Sequence, residues 1–156
     1  MMPFIHDDGG RAEAGYKGLA NDCVVRAIAI ASGLPYQEVY DAINSLSLKE
    51  RVTKSMQRRS SSREGVYKKT YEKYLFSLGW KWTPTMKIGS GCKVHLTEGE
   101  LPGGRIICRL SRHITAVIDG VIHDNHNPQR ETHVVDGCGN VSIQKRCVYG
   151  YWSKEQ

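Results

Sequence analysis

The chain has no run of about eighteen apolar residues, the length a membrane-crossing helix requires. It also has no internal repeat and little low-complexity sequence beyond Ser60-Ser61-Ser62. Residues 1–8 lack the basic stretch and apolar core of a secretion signal, so none is expected there. Cysteine is scarce: five residues, at 23, 92, 108, 138 and 147, odd in number and irregular in spacing. That pattern argues against a disulfide framework and points to reduced thiols in the cytoplasm. A protein of 156 residues can bury about 70% of its unfolded surface. A single domain over residues 1–156, with one core and no covalent staples, is therefore expected.

Acidic residues are too few to balance the basic ones in one place only. Residues 49–73 hold nine Lys or Arg against three Glu, and the remaining sequence has thirteen of each sign, so the whole net charge of +6 lies in that segment. Residues 49–64 are expected to form an exposed, mobile basic loop. Arg51, Lys54, Arg58, Arg59 and Arg63 could attract nucleic acid or an acidic protein partner. The charges follow no groove or recognition-helix pattern, and a solvated connection is the plainer reading.

Apolar residues are concentrated just after Cys23. Val24, Val25, Ala27, Ile28, Ala29, Ile30 and Ala31 leave only Arg26 charged, the mark of a helix buried nearly all round. Asn21 or Asp22 can cap its start, and Gly33 followed by Pro35 ends it. Cys23 then falls in the first turn, where backbone N–H groups and the positive end of the helix dipole favour thiolate over thiol. A buried cysteine packing as a small hydrophobe is the alternative.

A thiolate nucleophile needs a base, and residues 113–124 offer one. Residues 113–118 and 121–124 alternate and are β-branched, and Asp119-Gly120 suits a two-residue type I′ turn. With Ile118 facing Val121, Thr115 lies opposite Asp124 and His113 opposite His126. His113 and Asp124 then share a face as diagonal neighbours, roughly 7 Å apart between backbones. The carboxylate would orient the imidazole and stabilise its cation. His126 is the rival third member, and Asn125 points to the other face.

A second helix is expected from about 34 to 46, with Pro35 in its first turn and Val39, Tyr40, Ile43 and Leu46 on one face. A third spans 65 to 78, where Tyr67, Tyr71 and Tyr74 follow helical spacing. Strands are expected from Trp80, over 92–96 and 105–110, and around 134–135, 141–143 and 147–152. Helices first and an antiparallel sheet afterwards is an α+β order. The glycine-rich residues 88–92 lead towards a strand and so do not suit a phosphate loop. Cys92-x-x-His95 and His123-x-x-His126 match no familiar zinc spacing, and no metal or other cofactor is expected.

Asp22-Cys23 ahead of an apolar helix, followed by His113-Ile-Thr-Ala-Val-x-x-Gly-Val-Ile-x-Asp124, resembles the papain-like cysteine peptidase fold. It is most similar to the bacteriocin-processing peptidase domains of ABC transporters, which carry an Asp-Cys pair at the helix start and a His and Asp on adjacent strands. The whole sequence resembles an uncharacterised family of short bacterial and tailed-phage proteins. The matching stretches are 8–11, 22–29, 78–80, 84–92, 105–124 and 147–152. The peptidase resemblance implies a sheet packed on the Cys23 helix, with Cys23 as nucleophile, His113 as base and Asp124 as the orienting carboxylate. The substrate would be a peptide or protein amide or isopeptide, and no cofactor or membrane would be needed. The closer resemblance implies a bacterial host cell and a bacterial or phage-encoded protein, and it names no substrate. Papain-like enzymes usually place a Gln five or six residues before the nucleophile, where this sequence has Gly18 and Lys17. Asn21, with the Cys23 N–H, is the available oxyanion donor. A binding protein acting through residues 49–73 is the reading from a different class.

Overall fold

Ten residues after Asp22 form helix α1 (Cys23–Ser32), and eight consecutive ones, 24–31, are buried. A helix so enclosed needs partners on every side. Helix α2 (Tyr36–Ser47) packs along it, α3 (Lys68–Ser77) packs on α2, and a sheet closes the remaining flank. The α1 C-terminus is closed twice. Gly33 adopts the left-handed conformation at φ 73° and returns its N–H to Ala29 O, while the Arg105 guanidinium reaches Ile30 O at 3.2 Å. The computed structural model describes residues 1–54, 58–87 and 89–154.

The remaining elements are β1 (Phe4–His6), β2 (Lys81–Pro84), β3 (Arg105–Leu110), β4 (His113–Ile118), β5 (Val121–Asp124), β6 (Glu131–Val135), β7 (Val141–Lys145) and β8 (Gly150–Ser153). Six of them form a mixed, mostly antiparallel sheet in the order β1-β5-β4-β3-β8-β2, and β6 pairs with β7 in a separate ribbon. The class is therefore α+β. Both faces of the central strands are buried. Ile107, Ile114, Ala116 and Trp152 join the helices in one core, while Ile106, Cys108, Leu110, Val117 and Ile122 pack with Met2, Leu96 and Val148 in a second. The period-2 alternation of β3 and β4 divides their side chains between the two.

The β4–β5 hairpin has the expected register: Ile118 pairs with Val121, and Asp119 and Gly120 both take positive φ, 49° and 79°. The connection between β3 and β4 is also two residues long, Ser111 and Arg112, and Leu110 pairs with His113 across it. Helices α2 and α3 lie where helical spacing put them, with Tyr71 and Tyr74 buried as packing residues.

Three expectations fail. Residues 92–96 form no strand; a bridge between His95 and Cys147, with Val148 N–H to Val94 O and Leu96 N–H to Arg146 O, runs them beside 146–148 for too short a stretch. That contact brings Cys92 and Cys147 together in a disulfide, Cα to Cα 5.8 Å, so the five cysteines are not all reduced. Strand β1 has no counterpart among the expected elements, because three residues pairing in parallel with a strand far along the sequence leave no local pattern.

The basic segment is exposed at 49, 51–54, 58, 59 and 64, as expected of a loop, but it is anchored in part. Residues 60–63 tie it down: Ser60 and Ser62 are buried, Ser62 Oγ donates to Tyr40 O at 2.7 Å, Ser60 Oγ donates to Thr70 Oγ1 at 3.0 Å, and the Arg63 guanidinium reaches Lys17 O at 2.7 Å. Residues 55–57, Ile88 of the glycine-rich turn, and residues 155–156 lie outside the described residues.

Gly150 shows how tightly the edge of the sheet is packed. A Cβ placed there would sit 2.4 Å from two Trp82 ring atoms and 2.9 Å from Thr83 O. Gly150→Ala is therefore expected to destabilise the fold by about 1–3 kcal/mol through overpacking. Urea unfolding monitored by tryptophan fluorescence reads this directly, and an unchanged midpoint would mean that the Trp82 ring is free to move.

Candidate active site

The segment from β1 into α1 prepares the site. Beyond β1, Gly9 crosses so close over α1 that a Cβ would meet Arg26 O at 3.2 Å, and its φ of 71° favours glycine. Asp7 and Asp8 fold this loop by accepting N–H bonds from Gly9 and Gly10. Arg11 is thereby set beside Asp22, Nε to Oδ2 3.4 Å, with a second bond from its guanidinium to Gly18 O at 2.7 Å.

Asp22 does not cap α1. It is 1% exposed, and its carboxylate faces inward to Arg26, one turn along the helix, and to the Tyr36 hydroxyl, which donates at 2.6 Å. Burial and the Asp22 charge push the Tyr36 phenol well up, keeping it a donor. Among the described residues no side-chain oxygen caps α1, so its first N–H groups are left for another acceptor. Arg26 also faces Asp124, its second guanidinium nitrogen 3.8 Å from Oδ1. The only charge in the apolar run is thus a bridge between the start of α1 and the end of β5.

Asp124 is itself buried. Its Oδ2 accepts the His113 Nε2 at 2.7 Å and the Thr115 hydroxyl at 2.8 Å, and its Oδ1 accepts the Asn125 N–H at 2.7 Å. Burial alone would raise its pKa; the hydrogen bond and charge of His113 outweigh that and hold the carboxyl below its ordinary value. With Nε2 engaged, Nδ1 is the His113 nitrogen left to face Cys23, which lies close enough for the two groups to shift each other's pKa. For His113, burial opposes the charge, but the bonds to Asp124 and Cys23 prevail and lift the pKa to about 9. For Cys23, burial likewise opposes ionisation, and the bond and charge of His113 overcome it to lower the thiol pKa. Both shifts favour the thiolate–imidazolium form of the pair over the neutral one.

Cys23 and His113 line a cavity of about 660 Å³ that Asn21 also lines. Its walls include Arg109, whose guanidinium sits 5.8 Å from the Tyr149 ring centre, and Lys68 and Tyr71 of α3. Arg112, in the turn ahead of His113, holds φ 55°, a conformation that costs a non-glycine residue about 1–2 kcal/mol.

Cys23, His113 and Asp124 therefore come together, and Asn21 faces the same cavity. His126 is nearby but differently engaged. Its ring centre is 5.0 Å from that of His113, its Nδ1 is 2.7 Å from Asn125 Oδ1, and it lies 3.9 Å from Asp124, more than half exposed. None of the five basic residues lines the cavity, but two adjoin it: Arg58 pairs with Glu64 on its wall and Arg63 O accepts the Asn21 N–H at 2.7 Å, while Arg59 reaches Glu50 O and Arg51 and Lys54 are exposed. Cys92 is held in the disulfide, His95 faces Glu100 and His123 faces Asp7, so those motifs do not converge. Arg11, Arg26 and Tyr36 were missed as site residues. The four-residue spacing of Asp22 and Arg26 was the one signal present.

Removing the charge of Asp124 should weaken the site far more than altering His126. Asp124→Asn is expected to slow Cys23 alkylation at pH 7 by about tenfold or more, since a charge-assisted hydrogen bond is worth roughly 1.5–3 kcal/mol. His126→Gln should stay within about threefold of wild type, under 0.7 kcal/mol. Timed labelling with mass spectrometry measures both, and the reverse ranking would make His126 the partner of His113. Asp22→Asn should cost about 3–5 kcal/mol of stability, because it leaves the Arg26 charge buried with one distant partner. A thermal midpoint close to wild type would show that the Asp22–Arg26 pair contributes little.

The sequence matches no family model, no curated protein and no solved structure.

Proposed function

We propose that this protein is a papain-like cysteine hydrolase or acyl transferase acting on an amide or isopeptide bond of a peptide or protein. The observation that carries this reading is Cys23 and His113 lining one cavity, with His113 Nε2 2.7 Å from the buried Asp124 carboxylate and the Cys23 pKa lowered by the ring. Cys23 sulfur attacks the carbonyl carbon, and the imidazolium returns its proton to the leaving nitrogen as the C–N bond breaks. Water, deprotonated by the neutral imidazole, then cleaves the thioester and restores the thiol. An acceptor amine in place of water gives transfer. The oxyanion is received by the uncapped amides at the start of α1 and by Asn21.

The ion pair fixes the pH dependence. Thiolate is lost as pH falls through the lowered Cys23 pKa, and the protonated acid is lost as pH rises through the His113 pKa of about 9. Turnover is thus expected to follow a bell whose alkaline limb lies near pH 9. Iodoacetamide at pH 7 should label Cys23 at least about tenfold faster than exposed Cys138, because the thiolate and not the thiol is the nucleophile. Equal labelling of the two would overturn the reading. Incubation with a peptide library, scored for new N-termini against Cys23→Ala, then identifies the bond cleaved.

A further inference from the structure

Beyond His113 the active-site cavity continues into a second basin of about 390 Å³, lined by Ser111, Arg112, His113, His126, Arg130 and Arg146. The two share Ser111, Arg112, His113 and His126. Three guanidiniums and two imidazoles line the basin, and among the described residues no carboxylate does. Arg146 is held in place by Pro128 O at 2.9 Å and Ser111 O at 2.8 Å, both neutral acceptors, and its buried Nε has no partner among the described residues. Burial and the neighbouring Arg130 charge lower its pKa and outweigh the opposing charge of Asp124, which lies behind His113 and does not line the basin. Arg112 and Arg130 are exposed, and neither donates a hydrogen bond nor pairs with an acid among the described residues. Arg112 sits at a positive φ that glycine or asparagine would adopt more readily, so the backbone of the turn gives no reason for an arginine there. Forked donors converging on a pocket without an acid suit a planar anion.

We infer that this basin binds a carboxylate of the substrate beside His113, so that the peptide cleaved or transferred is acidic or carboxyl-terminal next to the reacting amide. The inference rests on the hydrolase reading above and names its substrate class. Two sources share this chemistry, the side-chain group of an Asp or Glu and the α-carboxylate at the end of a peptide, and three iodoacetylated probes of nearly equal shape separate them. N-iodoacetyl-glutamine carries only the α-carboxylate, N-iodoacetyl-glutamate α-amide only the γ-carboxylate, and N-iodoacetyl-glutamine α-amide neither. In each, the Cys23 thiolate forms a C–S bond as the C–I bond breaks and iodide leaves.

The readout is the rate ratio of acidic to neutral probe at Cys23, with Cys138 as internal reference in the same full-length protein. At least one acidic probe should favour Cys23 by about tenfold or more, as one charge-assisted contact provides, and the better probe identifies the source. In Arg112→Gln with Arg130→Gln the ratio should fall to that at Cys138. Arg146 is left intact because it holds two backbone carbonyls. A wild-type ratio at Cys23 equal to that at Cys138 overturns the basin, as does a preference that survives the double substitution. Failure of the hydrolase reading shows differently, as a neutral probe reacting no faster at Cys23 than at Cys138, and the acid-to-neutral ratio can still be read in that case.

Discussion

One buried carboxylate, Asp124, joins the two halves of this fold. It takes a hydrogen bond from His113, a second from Thr115 and a third from the Asn125 backbone, and faces the Arg26 guanidinium from α1. Remove the charge and a buried arginine loses one of its two acidic partners while a histidine loses the group that keeps it protonated. An ion left uncompensated in an interior costs far more than the pair contributes when complete. The helix and the sheet are thus held in one relative position by the same group that sets the chemistry of Cys23, and geometry and reactivity are not separable at this site.

From Asp124 the charges alternate outward. Arg26 leads to Asp22, and Asp22 to Arg11 and the Tyr36 hydroxyl. Each cation lies beside at least one anion, so the row alternates in sign. The N-terminal loop, α1, α2 and β5 all contribute to the row. A network of this kind orients a rigid His–Asp pair better than a single contact would, because every member is fixed from at least two directions.

The parts of this arrangement with a local period were legible in the sequence. Cys23 at the start of an apolar helix, the Asp119-Gly120 turn and the His113–Asp124 diagonal all follow from spacing and turn chemistry, since a two-residue turn fixes register and register fixes faces. What was not legible is long-range or ambiguous. An acid at a helix start reads as a cap, and only the buried Arg26 and Tyr36 turn Asp22 inward. Strand β1 is three residues long and pairs in parallel with β5. Cys92 and Cys147, 55 residues apart, become partners only because 94–96 runs beside 146–148. Ser60 and Ser62 sit within a stretch of charge, yet they are its anchors.

The parallel pairing of β1 with β5 also has a consequence in time. His6 lies against Asp124, so the first strand must wait for most of the polypeptide to be synthesised before it has a neighbour. Contacts across so long a loop form late and slowly. Until β4 and then β5 emerge, α1 carries its cysteine first without the imidazole and then without the carboxylate. A polypeptide that stops short of β4 therefore carries the Cys23 thiol without the neighbour that lowers its pKa.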